Sequence, residues 1–157
     1  MYAAMKLLDY TTEAALLPRL ECADLEGAVI SLAGAMATAG LVSDADLLVR
    51  DVLAREAEGG TALPEGLVLP HARSGAAGAV KLGAASLVEP IVCHSGDGQD
   101  YPVDVVMLLA GPPGDPRAML RVLALVARRV RAGTLVPRLR QARDSAAMAA
   151  VLAGLDA

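Results

Sequence analysis

Apolar side chains recur at Leu25, Val29, Leu32 and Met36, in steps of four, three and four that fall on one stripe of a helix over roughly 24–39. Asp24 is placed to cap its start and Gly40 to end it. Ser43, with Asp46 three residues on, approximates a capping box and opens a second helix running to about Glu58. Leu48, Val52 and Arg55 share one side of it, and Gly59-Gly60 stops it. The texture then changes. Leu67-Val68-Leu69 is a short apolar run ending in Pro70-His71, and Leu82 to Val88 and Val103 to Leu109 are two further strand candidates. The run Val105-Val106-Met107-Leu108-Leu109 is apolar throughout, which predicts a strand covered on both faces. Gly111-Pro112-Pro113-Gly114 breaks the chain, and Asp115 caps a helix with Pro116 at its first position. Leu120, Leu123, Val126 and Val130 are predicted to share the apolar face of that helix. Two shorter helices follow, at roughly 133–142 and 145–154. Helix, helix, strands, then helices predicts a sheet covered by helices on both faces. The order of strands within it is not legible from this pattern.

A length of 157 residues suits one domain with one core. The hydrophobic fraction is 55%, yet Phe and Trp are absent, so the core is built from Leu, Val, Ile, Ala and Met. The longest uncharged stretch, Gly27 to Ser43, is shorter than the ~20 residues a helix needs to cross a bilayer. Direct membrane insertion is therefore not expected. The first residues lack a long apolar run and meet Asp9 and Glu13 early, which argues against a signal peptide and for the cytoplasm. Cys22 and Cys93 form no CxxC pair and are expected to be reduced, buried thiols. The net charge of −4 is unevenly spread: eight arginines and no acidic residue lie between Arg117 and Arg143. That segment reads as a solvated helix face or as a docking surface for an acidic partner. Nucleic acid is not expected, because no aromatic residues interleave the basic ones.

The chain has only two histidines, His71 and His94. Near neutral pH an imidazole is a good nucleophile, and attack on phosphorus gives a phosphoimidazole that passes its group on. By itself, a histidine after proline is no evidence for this chemistry and reads first as a structural residue at a strand end. His94, in Cys93-His94-Ser95-Gly96, reads as a surface loop histidine. Cys93 and His94 are too few ligands for a metal, and as strand neighbours they point apart.

The segment from Arg55-Glu56 through Gly59-Gly60-Thr61 to Leu67-Val68-Leu69-Pro70-His71-Ala72-Arg73 resembles the active-site segment of the fructose/mannitol/nitrogen-type enzyme IIA domains of the bacterial sugar phosphotransferase system. Asp97-Gly98 and Pro102-Val103, with Gln99-Asp100-Tyr101 where that family has one residue, resemble a second family segment. The resemblance covers about 9–155. It implies a single α/β domain with a central mixed sheet between helical layers, and phosphoryl transfer through His71. It matches Arg55 to the family's active-site arginine, with Arg73 a second candidate. Thr61 offers a hydroxyl to a phosphoryl oxygen or to the imidazole, or caps a turn. Glu56 is expected in a structural ion pair. Where many members carry a second histidine this chain has Met119, and Ala62-Leu63-Pro64-Glu65 replaces a glycine-rich loop. The implied partners are the histidine phosphocarrier protein, as donor, and an enzyme IIB domain, as acceptor, with a membrane permease complex reached through IIB. No metal or organic cofactor is implied. A nitrogen-type regulatory protein that signals by its phosphorylation state, or a degenerate binding module that is not phosphorylated, are the alternatives.

Overall fold

The computed structural model describes residues 5–154. Two short 3-10 turns, Leu7–Tyr10 and Glu13–Ala15, lead into strand β1, Leu16–Leu20. Helices α1, Leu25–Thr38, and α2, Ala45–Glu58, follow. Four strand segments come next: β2, Leu67–Val68; β3, His71–Arg73; β4, Lys81–His94; and β5, Asp100–Gly111. The described chain closes with α3, Pro116–Arg131, α4, Leu135–Gln141, and α5, Ser145–Leu152.

The strands form one mixed sheet in the order β1-β4-β5-β2, with β3 also on β5. β4 and β5 run antiparallel, whereas β1 lies parallel to β4, and β2 and β3 lie parallel to β5. Leu67 pairs with Val105 and His71 with Leu109, so β2 and β3 keep one register and are a single edge strand interrupted at Leu69-Pro70. Proline has no N–H to give a ladder, and an edge position tolerates that. Along β5, Val106, Leu108 and Ala110 face the cluster that includes α1 and α2. Val105, Met107 and Leu109 face the cluster that includes α3, α4 and α5. This alternation is why the run is apolar throughout: both faces of β5 are covered. The central mixed sheet between helical layers expected from the sequence is the observed architecture.

Several details differ from the sequence reading. β1 carries no clean alternation, holds Pro18 and has Arg19 at φ 57, so its pattern gave no strand signal. β4 and β5 extend well beyond the predicted apolar runs, because a two-stranded ribbon continues past the covered part of the sheet. Asp44, rather than Ser43, caps α2, accepting from the Leu47 N–H, while the Ser43 hydroxyl donates to the Ala76 carbonyl. Asp24 and Asp115 cap α1 and α3 as expected. Leu120 is 63% exposed and lies outside the buried face of α3, which Met119, Val122, Val126 and Val130 form with Leu125 and Arg129. Cys93 is buried but Cys22 only half-buried. No helix among the described residues is long and apolar enough to cross a membrane.

Candidate functional site

At the edge strand the two helical layers separate and leave a cleft of about 830 Å3. From α2 come Asp51, Ala54, Arg55 and Glu58; from β3 come His71, Ala72 and Arg73; the far wall is Pro113, Pro116, Met119, Leu120 and Leu123. The structure thus gathers His71, Arg55 and Arg73, which are spread over the sequence, into one depression. Thr61 does not line it.

His71 opens β3 directly after Pro70 and is half-buried. Its Nδ1 lies 2.8 Å from the Leu69 carbonyl oxygen. A carbonyl oxygen only accepts, so the ring hydrogen sits on Nδ1 and donates to it. Nε2 is left with the lone pair. The Leu69 carbonyl, at the interruption between β2 and β3, is thus the partner of the His71 ring.

Arg55 stands in the last turn of α2, where its Nη1 donates to the Gly59 carbonyl at 3.0 Å. A cation is favoured at a helix C-terminus, and Arg55 lines the same cleft as His71. Glu56, the next residue, does not form the expected ion pair among the described residues. Its carboxylate accepts from the Thr61 N–H at 2.9 Å and from the Thr61 hydroxyl at 2.7 Å. The hydroxyl of Thr61 is thereby directed to Glu56. The loop between is pinned from its other side: Ala62 N–H donates to the His94 carbonyl at 2.9 Å, and a Cβ on Gly60 would sit 2.1 Å from that same oxygen. Only glycine fits there.

Met119 is 4% exposed and forms part of the wall facing His71. It rests on Gly111, where an added Cβ would lie 2.7 Å from the methionine Cε. His94 is the last residue of β4 rather than part of a loop; its side chain is 82% exposed, and its Nδ1 lies 2.5 Å from an Asp100 oxygen. Cys93 points the other way, into the core. Burial pushes its thiol up to about 12, with the Glu56 carboxylate adding to the effect. Burial and then Asp24 raise Cys22 in the same direction. Neither thiol is poised as a nucleophile. Among the described residues no group of three or more His, Cys, Asp or Glu side chains is placed to hold a metal. The carboxylates Asp51 and Glu58, and the apolar wall residues Pro113, Pro116, Leu120 and Leu123, were not expected in the site from the sequence. For Asp51 the i to i+4 step to Arg55 was the available signal.

The site is thus an imidazole with its hydrogen on Nδ1, in an edge cleft of a mixed α/β domain that two arginines also line. Residues 10–154 match the family described as phosphoenolpyruvate-dependent sugar phosphotransferase system, EIIA 2, and the chain belongs to that family. It is 35% identical over 150 residues to a nitrogen regulatory protein of Bradyrhizobium diazoefficiens, covering 95% of each chain. It is 34% identical over 111 residues to the 2-O-alpha-mannosyl-D-glycerate-specific EIIABC component of Escherichia coli, covering 71% of this chain but 17% of that much longer protein. Among solved structures, the nitrogen regulatory protein IIA-Ntr of Neisseria meningitidis superposes with a TM-score of 0.80 at 18% identity, covering 93% of this chain and 98% of that one. The IIA mannitol protein of Escherichia coli gives 0.73 at 17% identity, covering 90% and 98%. At those identities the structural likeness establishes the fold.

Proposed function

We propose that the chain relays a phosphoryl group on His71, taking it from the phosphohistidine of a histidine phosphocarrier protein and giving it to a cysteine of an enzyme IIB domain. The observation that carries this reading is the Nδ1–Leu69 hydrogen bond inside the arginine-bearing cleft. With Nδ1–H held, the Nε2 lone pair attacks phosphorus, the N–P bond of the donor breaks, and its electron pair returns to the donor imidazole. The His71 ring gains positive charge as the new N–P bond forms, and the Leu69 carbonyl stabilises it. No proton has to move. In the second step a cysteine thiolate attacks phosphorus and the Nε2–P electrons return to His71. Both steps exchange bonds of similar energy, so the protein's part is alignment and charge balance. Arg55 supplies charge-assisted donors to the phosphoryl oxygens, while Thr61, bound to Glu56, acts by holding the loop beside Arg55. Family membership supports a phosphotransferase role. That the mannitol IIA of Escherichia coli has been solved in complex with phosphorylated IIB supports the acceptor. A relay of this kind operates in the cytoplasm, with any permease reached through IIB.

A second reading keeps the same chemistry and changes who reads it. The likeness to a nitrogen regulatory protein over 95% of both chains supports a regulator whose phosphorylation state is the signal. Permease and IIB genes beside this one favour transport; their absence favours regulation.

Purified protein incubated with phosphoenolpyruvate, enzyme I and the phosphocarrier is expected to take one acid-labile phosphate. His71→Ala abolishes the label and His94→Ala leaves it. Label that survives His71→Ala overturns the assignment, and a wild-type protein inert to the relay favours the degenerate-module alternative.

A further inference from the structure

We propose that Arg73 is a second phosphoryl-binding residue of the cleft, closing on the terminal oxygens of the group once it is attached to Nε2 of His71. This inference rests on the phosphoryl-relay reading. A bound phosphoryl group brings up to two negative charges, and the cleft that receives it is also lined by the carboxylates Asp51 and Glu58. One arginine against those charges is a poor balance, and one of the Arg55 donors is already committed to the Gly59 carbonyl. The opposite wall offers nothing charged: Pro113, Pro116, Met119, Leu120 and Leu123 are all apolar. Arg73 is the other cation lining the cleft among the described residues.

Its placement follows from the strand. His71 and Arg73 are two residues apart on β3, so their side chains leave the same face, roughly 7 Å apart at the backbone. Ala72 between them points oppositely, into the core with α1 and α2. The backbone at Arg73 is fixed, because it pairs with Gly111 and the following Ser74 N–H donates to the Gly111 carbonyl at 2.8 Å. The side chain is exposed, and among the described residues it makes no hydrogen bond or ion pair. All five guanidinium N–H donors are therefore uncommitted, on a stem long enough to span the gap to a group on Nε2. Arginine matches a phosphoryl face with two parallel N–H···O bonds, which a lysine cannot reproduce.

The test separates phosphoryl binding from steering of a partner. Wild type, Arg73→Gln and Arg73→Lys are loaded on His71 both through the phosphoenolpyruvate relay and directly with phosphoramidate, which phosphorylates imidazoles without any partner. The isolated phosphoproteins are then titrated by 31P NMR. Phosphoryl binding predicts that the phosphoryl group of Arg73→Gln protonates at higher pH than that of wild type, with Arg73→Lys between them. It also predicts that the saturating relay rate of Arg73→Gln falls by about ten- to a hundredfold, less than the loss for a fully enclosed donor because Arg73 is exposed. An unchanged 31P titration overturns the proposal, whether relay kinetics are unaltered or only the apparent affinity for the phosphocarrier weakens. Wild-type protein that takes no phosphate on His71 by either route overturns the relay reading and this inference with it. Loading of wild type together with identical titrations of the three proteins overturns this inference alone.

Discussion

Arg55 and Glu56 are neighbours on α2 that grip two ends of one short loop, Arg55 at the Gly59 carbonyl and Glu56 at the Thr61 N–H and hydroxyl. Their mutants separate chemistry from scaffolding. Arg55→Ala is expected to slow phosphotransfer by about one to three orders of magnitude, the range for losing a strong donor to transferring charge. Its stability loss should stay near ~1 kcal/mol, since one hydrogen bond to a carbonyl goes. Glu56→Ala removes both acceptors and leaves Thr61 unpaired, so it should cost about 1–3 kcal/mol, with a smaller loss of rate; Glu56→Gln keeps one acceptor oxygen and should recover part of the stability. Thermal melts and relay kinetics on the three proteins check this. A Glu56→Ala protein of normal stability that transfers as slowly as Arg55→Ala shows instead that the carboxylate takes part in the transfer. At this scale the sequence singled out Arg55 and His71, which the fold brings to one cleft, but the acceptor of the Thr61 hydroxyl was not legible. A hydroxyl takes whatever acceptor the folded loop brings to it.

Helix α2, the edge strand and α3 make the cleft between them. β2 and β3 keep a common register on β5 across Pro70, and that proline break lets the Leu69 carbonyl serve His71. α3 sets Met119 against Gly111 at the end of β5, on the wall opposite. The helix was predicted from its apolar spacing, but its rotation was misjudged at Leu120. The reason is that residue 119 is as apolar as residue 120, and only the position of β5 decides which of them is covered. Met119→His tests the wall. The new imidazole enters a cleft shared with His71 and is expected to change the relay rate or the lifetime of the phosphorylated form, measured by label decay. Because Met119 is nearly fully buried, the exchange also carries a stability penalty of about 1–3 kcal/mol unless the new ring finds partners. A stable Met119→His protein with unaltered rate and lifetime means that the α3 wall does not contact the phosphoryl group.

Across the whole molecule, the basic segment 117–143 is not one surface. Arg129 is buried and donates to the Val151 carbonyl at 2.9 Å. Arg140 makes a two-point contact with Asp104, Nε to Oδ2 at 2.6 Å and Nη2 to Oδ1 at 2.9 Å, tying α4 to β5. Asp104 holds the Arg140 guanidinium charged and pushes it further up. With side chains 43% and 23% exposed, this pair belongs to the screened class, and its two-point geometry puts it at the upper end, about 1 kcal/mol. Arg140→Ala should lower the melting temperature by about 2–4 °C, the difference should shrink in molar salt, and His71 labelling should be unchanged. Slower labelling with an unchanged melting temperature places Arg140 on a partner surface instead. The other arginines of the segment are exposed, which keeps both the solvated-face and the docking readings alive for them. By itself the sequence determined the helices with strong periodicity and Asp caps, the doubly covered central strand, and the chain break at Pro70 before His71. These are local signals, set by side-chain period, cap chemistry and the missing proline N–H. Tertiary structure alone decided the rest. It placed β1, whose pattern is irregular because it lies at an edge, and extended β4 and β5 into a ribbon. It also chose the strand order that puts His71 at an open edge, and brought Asp51, Arg55, Arg73 and Met119 around one imidazole. Such contacts join residues far apart in the chain, so they depend on how the layers pack against the sheet, and no short stretch of sequence encodes that packing.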